Sequence, residues 1–429
     1  MSDYQTAAAK LIRAATETDF AHQRLAELCD TFGPRFSGTT NLEAAIDWAL
    51  AKMKADGLEN VHGEEVMVPH WVRGEESAEL LAPTHQRLPM LGLGGSVATP
   101  KRGITAPVLV VRSFAELEQR AGEARGKIVL FNAPFVTYGE TVAYRQRGAS
   151  KAAKAGAVAS LIRSITPFGL QTPHTGMMTY EDGIPRIPHA AITPEDAERL
   201  QRWQDRGRQV VVRLNMSARL LPDAHSRNIV AEIAGREKPD EIVLVSGHMD
   251  SWDIAPGAHD DGGGAVSAWE AVRLMHELGL RPRRTVRVVL WTNEENGLRG
   301  AKDYAERHRQ ELSKHVLAIE SDEGAFQPTG FTFKGGEPAK AVIEQVGTLL
   351  GGIKADKIVA GGGGSDVAQL EPASVPVMQL TVEGSKYFWF HHTAADTPDK
   401  VDPKELSQCA AAMAVMAYVV ADMPESLPR

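Results

Sequence analysis

Histidines and acidic residues form short clusters, and most of these clusters follow a run of apolar residues. The clusters lie at 246–250, 258–264, 291–297, 320–322 and 390–397. Imidazole and carboxylate groups are the side chains that hold divalent cations and transfer protons. The residues of interest are His248, Asp250, Asp260, Glu294, Glu295, Asp322 and His392. Their types and order indicate a metal-dependent hydrolytic site.

Several carboxylates gathered at one edge of a fold indicate a bound cation, because an unpaired buried charge costs several kcal/mol. Two imidazoles with three carboxylates suit zinc, with manganese or cobalt as alternatives, and a shared carboxylate fits a site with two ions. In this interpretation His248, Asp260 and Asp322 hold one zinc ion, and Asp260 bridges to the second. Glu295 and His392 complete the second site.

A water held between two zinc ions needs a base that takes its proton and returns it to the leaving group. Glu294 is the expected base, because one short loop can direct Glu294 to the water and its neighbour Glu295 to the metal. Asp250 stands two residues after His248, and we expect it to accept the second imidazole N–H. Glu294 and Asp250 are therefore the predicted catalytic residues beside the ligands.

The elements that position these residues are strands alternating with helices. Apolar runs at 242–245, 286–291, 316–319 and 375–380 predict four strands. Near-continuous Val, Ile and Leu in such runs is typical of a mostly parallel sheet with helices on both faces. Ligands bind beyond the carboxyl ends of the strands in these sheets. The sequence thus predicts an α/β fold with the site at that edge.

A separate α/β unit precedes these strands. Gly92, Gly94 and Gly95 interrupt the pattern and favour a domain boundary near residue 100. The segment 101–222 then shows its own series of strands and helices, among them a strand at 128–131 and a helix at 149–155. We therefore expect a discontinuous catalytic domain (1–100 and 223–429) and a small inserted domain (101–222). In the first part, helices are expected at 21–28 and 41–58, the latter with Thr39 or Thr40 as its cap.

The composition excludes several classes of protein. The chain has 429 residues with 47 Lys and Arg against 55 Asp and Glu, and its net charge of −8 disfavours binding to nucleic acid or to a membrane. Cys29 and Cys409 are too few for a disulfide scaffold or a thiolate zinc site. The apolar run 409–421 is too short to span a bilayer and predicts a buried helix. The N-terminus shows no secretion signal, which indicates a cytoplasmic protein or the mature form of an exported one.

The order of the motifs resembles that of a known family. His-x-Asp, Asp-Asp-Gly, Asn-Glu-Glu, Ser-Asp and His-Thr-x-x-Asp-Thr look like the motifs of the M28 zinc peptidases, and 320–322 and 387–392 are most similar to a carboxypeptidase branch of that family. The resemblance implies the same five ligands and the same base, and a protease-associated domain at about 101–222. The M20 peptidases place an extra domain between the last two ligands, where Asp322 and His392 leave too little chain for one.

Four residues are expected to contact the substrate. Many relatives have Tyr before the last ligand, whereas this chain has His391, which we expect to donate to the oxyanion or to contact the substrate carboxylate. Ser365 and Asp366 follow the glycine run 361–364, which is either a loop near the substrate with Ser365 capping the next helix, or a mobile connector. Tyr387 begins an aromatic run that either lines a substrate pocket or belongs to the core.

These observations predict a zinc-dependent exopeptidase of the carboxypeptidase or dipeptidase type, acting on short peptides with a free terminus. The alternatives are an aminopeptidase and an amidase that cleaves N-acyl amino acids. A binding module without catalysis is a further alternative, and the complete ligand set argues against it. The resemblance also implies a homodimer.

Overall fold

The computed structural model describes residues 1–428, and sixteen strands in them form two eight-stranded sheets. The strands are β1 (Glu59–Val72), β2 (Glu76–Ala82), β3 (Gln86–Leu88), β4 (Met90–Gly92), β5 (Ile104–Val111), β6 (Ile128–Phe131), β7 (Ala159–Arg163), β8 (His189–Ile192), β9 (Val211–Met216), β10 (Arg219–Ile233), β11 (Lys238–His248), β12 (Arg284–Trp291), β13 (His315–Glu320), β14 (Pro328–Lys334), β15 (Lys357–Ala360) and β16 (Val377–Val382). The first sheet has the order β1-β10-β12-β11-β13-β16-β14-β15, and the second has the order β3-β2-β9-β5-β6-β7-β8-β4.

The helices lie between the strands and at both ends of the chain. They are α1 (Gln5–Thr16), α2 (Phe20–Phe32), α3 (Thr40–Ala55), α4 (Phe114–Gln119), α5 (Ala121–Ala124), α6 (Tyr138–Thr141), α7 (Ala143–Lys154), α8 (Pro194–Asp205), α9 (Gly263–Glu277), α10 (Arg299–Arg307), α11 (Glu337–Gly347), α12 (Tyr387–Phe390) and α13 (Pro403–Asp422). Thr39 caps α3 by accepting the Leu42 N–H at 3.3 Å, which confirms one of the two predicted caps.

The centre of the first sheet is parallel. Strands β12, β11, β13 and β16 run in the same direction, and β10 and β14 flank them antiparallel. Alternate residues of β11 face opposite sides of the sheet, as in any strand. Val243 and Val245 pack with α9 and α13, whereas Ile242 and Leu244 pack with α10. Burial on both faces explains the continuous apolar runs. The predicted α/β class, with helices on both sides of a mostly parallel sheet, is confirmed.

The register of the parallel strands places their carboxyl ends at one edge. His248, the last residue of β11, pairs with Trp291, the last residue of β12. Ser246 in β11 pairs with Glu320, the last residue of β13. The loops after these three strands therefore begin side by side, where ligands bind in sheets of this kind.

Helix α13 is the long apolar helix of the chain. Asp402 caps it by accepting the N–H groups of Lys404 and Glu405, and the side chains from Leu406 to Ala421 are buried. The prediction of a buried helix at 409–421 is confirmed. Within residues 1–428, no helix is long and apolar enough to cross a membrane.

The chain divides into two units. The first contains Met1–Val68, Asp223–Tyr387 and the residues from Asp396 onward, and the second contains Pro69–Pro222 and Phe388–Ala395. The sequence favoured a boundary near residue 100, but β2, β3 and β4 lie in the second sheet, where β2 pairs with β9 and β4 pairs with β8. Hydrogen bonding to strands that are distant in sequence, rather than the local glycines, sets the boundary. Residues 388–395, expected in the first domain, also group with the second unit.

The second unit has a parallel centre of its own. Strands β5, β6, β7 and β8 run parallel, and β9 and β4 are antiparallel to their neighbours. Apolar side chains pack on both faces of this sheet in two clusters. The predicted strand at 128–131 has the observed bounds of β6, whereas the helix expected at 149–155 is longer and begins at Ala143.

Candidate metal centre

His248 is fixed by the backbone at the end of β11. Its own N–H donates to Asp261 Oδ2 at 2.9 Å, and its Nδ1 donates to the main-chain oxygen of Asp250 at 3.0 Å. The side chain is fully buried. Because Nδ1 carries the proton in this arrangement, Nε2 presents its lone pair, as a metal-binding histidine requires.

Three carboxylates face Nε2 of His248. Asp260 Oδ1 and Asp322 Oδ1 each lie 3.3 Å from this nitrogen, and Glu294 Oε2 lies 4.0 Å from it. So many carboxylates around one buried imidazole favour a bound cation among them. The donor set of one imidazole with carboxylate oxygens fits a zinc ion.

Asp261 also lies in this group. His248, Asp261 and Asp322 each have one possible ligand atom within 4.8 Å of the other two. Both oxygens of Asp261 accept backbone N–H groups, however, from His248 and from Gly264 at 3.0 Å. Asp261 thus supports the loop at the start of α9, and Asp260 is the better candidate for the ligand.

The loop that carries Asp260 is held from a second side. Asp396 accepts the N–H of His259 at 2.7 Å with one carboxylate oxygen and the N–H of Asp260 at 3.1 Å with the other. His259 stacks on Phe326 with a ring-centroid distance of 4.3 Å, and its Nδ1 accepts the Ala325 N–H. The Asp260–Asp261 peptide bond in this loop is cis.

Asp250 performs a different task from the one predicted. Its carboxylate lies 3.7 Å from His248 Nδ1, which is bonded instead to the Asp250 main-chain oxygen. The two carboxylate oxygens accept the N–H of Glu294 at 3.0 Å and the N–H of Glu295 at 3.3 Å. The prediction that this carboxylate accepts the imidazole N–H is therefore wrong. The backbone oxygen takes that bond, and the side chain fixes the loop after β12.

This loop places Glu294 beside the carboxylate group. The side chain of Glu294 is 16% exposed, so a water or substrate can reach it. Burial first, and then the charges of Asp322 and Asp250, raise the pKa of Glu294 to about 7. A carboxyl group with such a pKa can accept a proton and give it back near neutral pH. Glu295 is 7% exposed and stands on the same tied segment.

The glycine loop 361–364 packs against Glu320. Glu320 Oε2 accepts the N–H of Asp366 at 3.1 Å and that of Val367 at 2.8 Å. Gly364 has a φ of +98°, and a Cβ there would lie 2.6 Å from the Glu320 carboxylate. Asp366 is fully buried and its oxygens have no hydrogen-bond partner among the described residues. Its assignment as a substrate contact stays a prediction from the sequence.

Ser365 and Tyr387 differ in their surroundings. Ser365 is exposed, but no side-chain hydrogen bond caps the short helix Val367–Ala373 that follows, so the expected cap is absent there. Tyr387 lies beside Gly324 in the loop after Asp322. Burial and the charges of Asp260 and Asp322 hold the pKa of Tyr387 well above its usual range. Tyr387 is thus the better placed of the two beside the carboxylates.

His391 and His392 belong to the second unit. His392 Nδ1 lies 3.2 Å from the main-chain oxygen of Thr175, and His391 packs edge to face on Tyr138 at 5.3 Å between ring centroids. The first unit thus brings together His248, Asp250, Asp260, Glu294 and Asp322. The roles of Glu295, His391 and His392 stay predictions from the sequence.

Sequence reasoning missed the supporting roles of Asp261, Asp396 and Glu320. Asp261 and Asp396 stand inside the two motifs that name Asp260 and His392, so the motifs marked them without indicating their partners. Their hydrogen bonds go to backbone N–H groups, and no residue pattern shows where those groups point.

Comparisons with known proteins agree with this geometry. Residues 228–417 match the model of peptidase family M28. The chain is 50% identical to carboxypeptidase Q of Mus musculus over 432 residues, which covers 100% of this chain and 92% of that relative. The crystal structure of an M28 peptidase precursor from Shewanella amazonensis has a TM-score of 0.96 at 36% identity and covers 100% of this chain and 99% of that one. A zinc aminopeptidase from Bacillus subtilis shares the fold, with a TM-score of 0.69 at 20% identity over 95% of this chain and 98% of its own.

Proposed function

Because this chain belongs to peptidase family M28 and is a metallopeptidase, we propose that it is a zinc exopeptidase of the carboxypeptidase or dipeptidase type. The observation that carries the proposal is the buried group around His248 Nε2, in which Asp260, Asp322 and Glu294 converge. The name of the 50% identical relative, carboxypeptidase Q, supports the carboxypeptidase type.

We propose two zinc ions. His248, Asp260 and Asp322 would hold one ion, and Asp260, Glu295 and His392 the other. The first set is supported by the contacts of His248, and the second by the order of the motifs. Zinc, when bound, acidifies water and polarises the peptide carbonyl. The zinc aminopeptidase with the same fold supports the choice of metal.

Glu294 is the proposed base. Its carboxylate takes the proton of the attacking water and returns it to the nitrogen of the leaving amine. The bonds from Asp250 to the N–H groups of Glu294 and Glu295 keep this loop in place during the transfer. Asp261 and Asp396 hold the loop of Asp260 in the same way. His391 and Tyr387 are the remaining candidates for contacts to the substrate.

The second unit is proposed to be a protease-associated insertion. Its main segment, Pro69–Pro222, stands ahead of the metal motifs, as the resemblance to this family implies. Residues 69–100 belong to it together with the predicted 101–222.

The substrate class can be tested with a panel of matched compounds. The panel contains one dipeptide in free, N-acetylated and C-amidated forms, and the corresponding N-acyl amino acid. A carboxypeptidase cleaves the free and N-acetylated dipeptides but spares the amide, and a dipeptidase cleaves the free form alone. Cleavage of the amide without the N-acetylated form would identify an aminopeptidase and contradict the proposal. Cleavage of the N-acyl amino acid alone would identify the amidase instead. Loss of every cleavage activity in Glu294→Gln would show that a single site is responsible for all of them.

A further inference from the structure

The segment that carries His392 is held by a short stretch of the second unit. The Thr175 N–H donates to the main-chain oxygen of His392 at 3.0 Å. In return, Nδ1 of His392 donates to the main-chain oxygen of Thr175 at 3.2 Å. Thr166 Oγ1 donates to the Phe388 oxygen at 3.1 Å, so the segment is fixed before His392 as well. Thr175 therefore holds both the backbone and the ring of His392.

This contact selects one form of the imidazole. With the proton on Nδ1 and bonded to a carbonyl oxygen, the lone pair lies on Nε2. Histidines that bind metals donate their other N–H to a carbonyl or carboxylate in this way, and the partner fixes both tautomer and ring orientation. His248 makes the corresponding bond to the Asp250 carbonyl in the first unit. The two imidazoles assigned to zinc, His248 and His392, thus each donate the Nδ1 proton to a main-chain oxygen and keep the lone pair on Nε2.

Arg145 shapes the stretch that holds His392. It is a buried side chain of α7, and its Nε donates to the Met177 oxygen at 3.2 Å while Nη2 donates to the Tyr138 hydroxyl at 2.8 Å. Its Nη1 lies 3.5 Å from both the Thr175 oxygen and Nδ1 of His392. Among residues 1–428, no carboxylate forms an ion pair with this guanidinium. Its Nε and Nη1 are directed to the backbone of 175–177 instead.

Gly176 shows that the guanidinium is closely fitted to this stretch. The residue has a φ of +140°, and a Cβ there would lie 2.3 Å from Nη1 and 2.4 Å from Cζ of Arg145. A side chain at this position would displace the guanidinium. Thr175 is held from the other side, because its Oγ1 donates to the Gly92 oxygen at 2.9 Å. The carbonyl that receives the His392 proton is thus fixed from two directions.

We propose that Arg145 is a positioning residue for His392, acting through the backbone of Thr175, Gly176 and Met177 to keep Nε2 directed and ready to bind zinc. The proposal rests on the proposed function, in which His392 is a ligand. Arg145 and Thr175 belong to the same unit as His392. A buried arginine without a carboxylate partner is otherwise costly to retain.

The test is the zinc affinity of Arg145→Met in the full chain, measured by competition with a chromophoric chelator. We expect one of two zinc ions to bind roughly 10 to 100-fold more weakly and the other to keep its affinity. The absorption spectrum of the cobalt-substituted protein should change, and kcat should fall while KM for a dipeptide stays the same. Arg145→Lys, which keeps one donor, should recover part of the affinity. Arg147→Met is the matched control, because Arg147 is exposed on the same helix, and it should bind zinc as the parent does.

A second variant guards against a folding defect. Gly176→Ala keeps every charge but displaces the guanidinium. It should lower the affinity for the same zinc ion, and it provides the test if Arg145→Met does not fold. Unchanged zinc affinity in a folded Arg145→Met or Gly176→Ala variant would overturn the proposal. A higher KM with unchanged zinc affinity would also overturn it, and would show that Arg145 contacts the substrate carboxylate.

His392→Ala separates this inference from the proposed function. If it binds two zinc ions with full affinity, His392 is not a ligand, and both the ligand assignment and the inference fail. If it loses one ion while the Arg145 and Gly176 variants keep both, only the positioning role of Arg145 fails.

Discussion

At the scale of single residues, neighbouring carboxylates have different roles because their hydrogen bonds differ. Asp261 uses both oxygens on backbone N–H groups, whereas Asp260 faces His248. Glu294 likewise has its backbone tied to Asp250 and its carboxylate directed toward the cluster. A carboxylate occupied by N–H donors supports a loop, and one that faces an imidazole is available for metal or proton transfer.

Replacement of the proposed base tests this division. Glu294→Gln keeps the shape of the side chain and its backbone bonds to Asp250, but it cannot accept a proton. We expect kcat to fall at least about 100-fold. Zinc content, measured by elemental analysis of the purified variant, should equal that of the parent. Glu306→Gln on the exposed face of α10 is the control and should keep full activity. Substantial turnover by the zinc-loaded Glu294→Gln variant would contradict the assignment.

At the scale of elements, the sequence indicates which strand ends carry the site but not how the loops are tied. Buried parallel strands appear as apolar runs, so β11, β12 and β13 and the clusters after them were predictable. The bond of Asp250 was not, because backbone torsions decide whether its carbonyl or its carboxylate meets His248. Strands β2–β4 were misassigned because β2 and β4 pair with β9 and β8, which lie about a hundred residues or more away in the chain.

Helix α10 is joined to β1 by an ion pair that should make stability depend on pH. His308, just after α10, lies 2.8 Å from Glu64 in β1. Burial lowers the pKa of His308, but the hydrogen bond and charge of Glu64, together with a hydrogen bond to Glu311, outweigh burial and leave the pKa raised. The stabilisation is therefore complete below the ordinary histidine pKa and is lost as pH rises through the raised value.

His308→Gln removes the charge and keeps a donor. We expect its free energy of unfolding to be about 1 kcal/mol below that of the parent at pH 6, and the difference to shrink by about pH 9. Urea unfolding at the two pH values measures both quantities. His225→Gln, at a histidine whose side chain is 82% exposed, should show no such trend. A difference that stays constant between the two pH values would show that the charge of His308 contributes nothing.

At the scale of the whole molecule, metal binding should couple activity to stability. His248 is fully buried against Asp260 and Asp322, and their charges oppose folding unless a cation is bound. Zinc at about 1,000 times its dissociation constant would stabilise the native state by about 4 kcal/mol. A strong chelator should therefore abolish activity and lower the Tm by roughly 5 °C or more, as scanning calorimetry would detect. Added zinc should restore both, and magnesium should restore neither.

The Glu294→Gln variant extends this test, because it should show the same fall and recovery of the Tm without turnover. That result would separate the contribution of the metal to folding from its contribution to catalysis. Activity and Tm that are both indifferent to the chelator would reject a resident metal in the group around His248. A Tm that falls while activity persists would place the stabilising metal away from the catalytic residues.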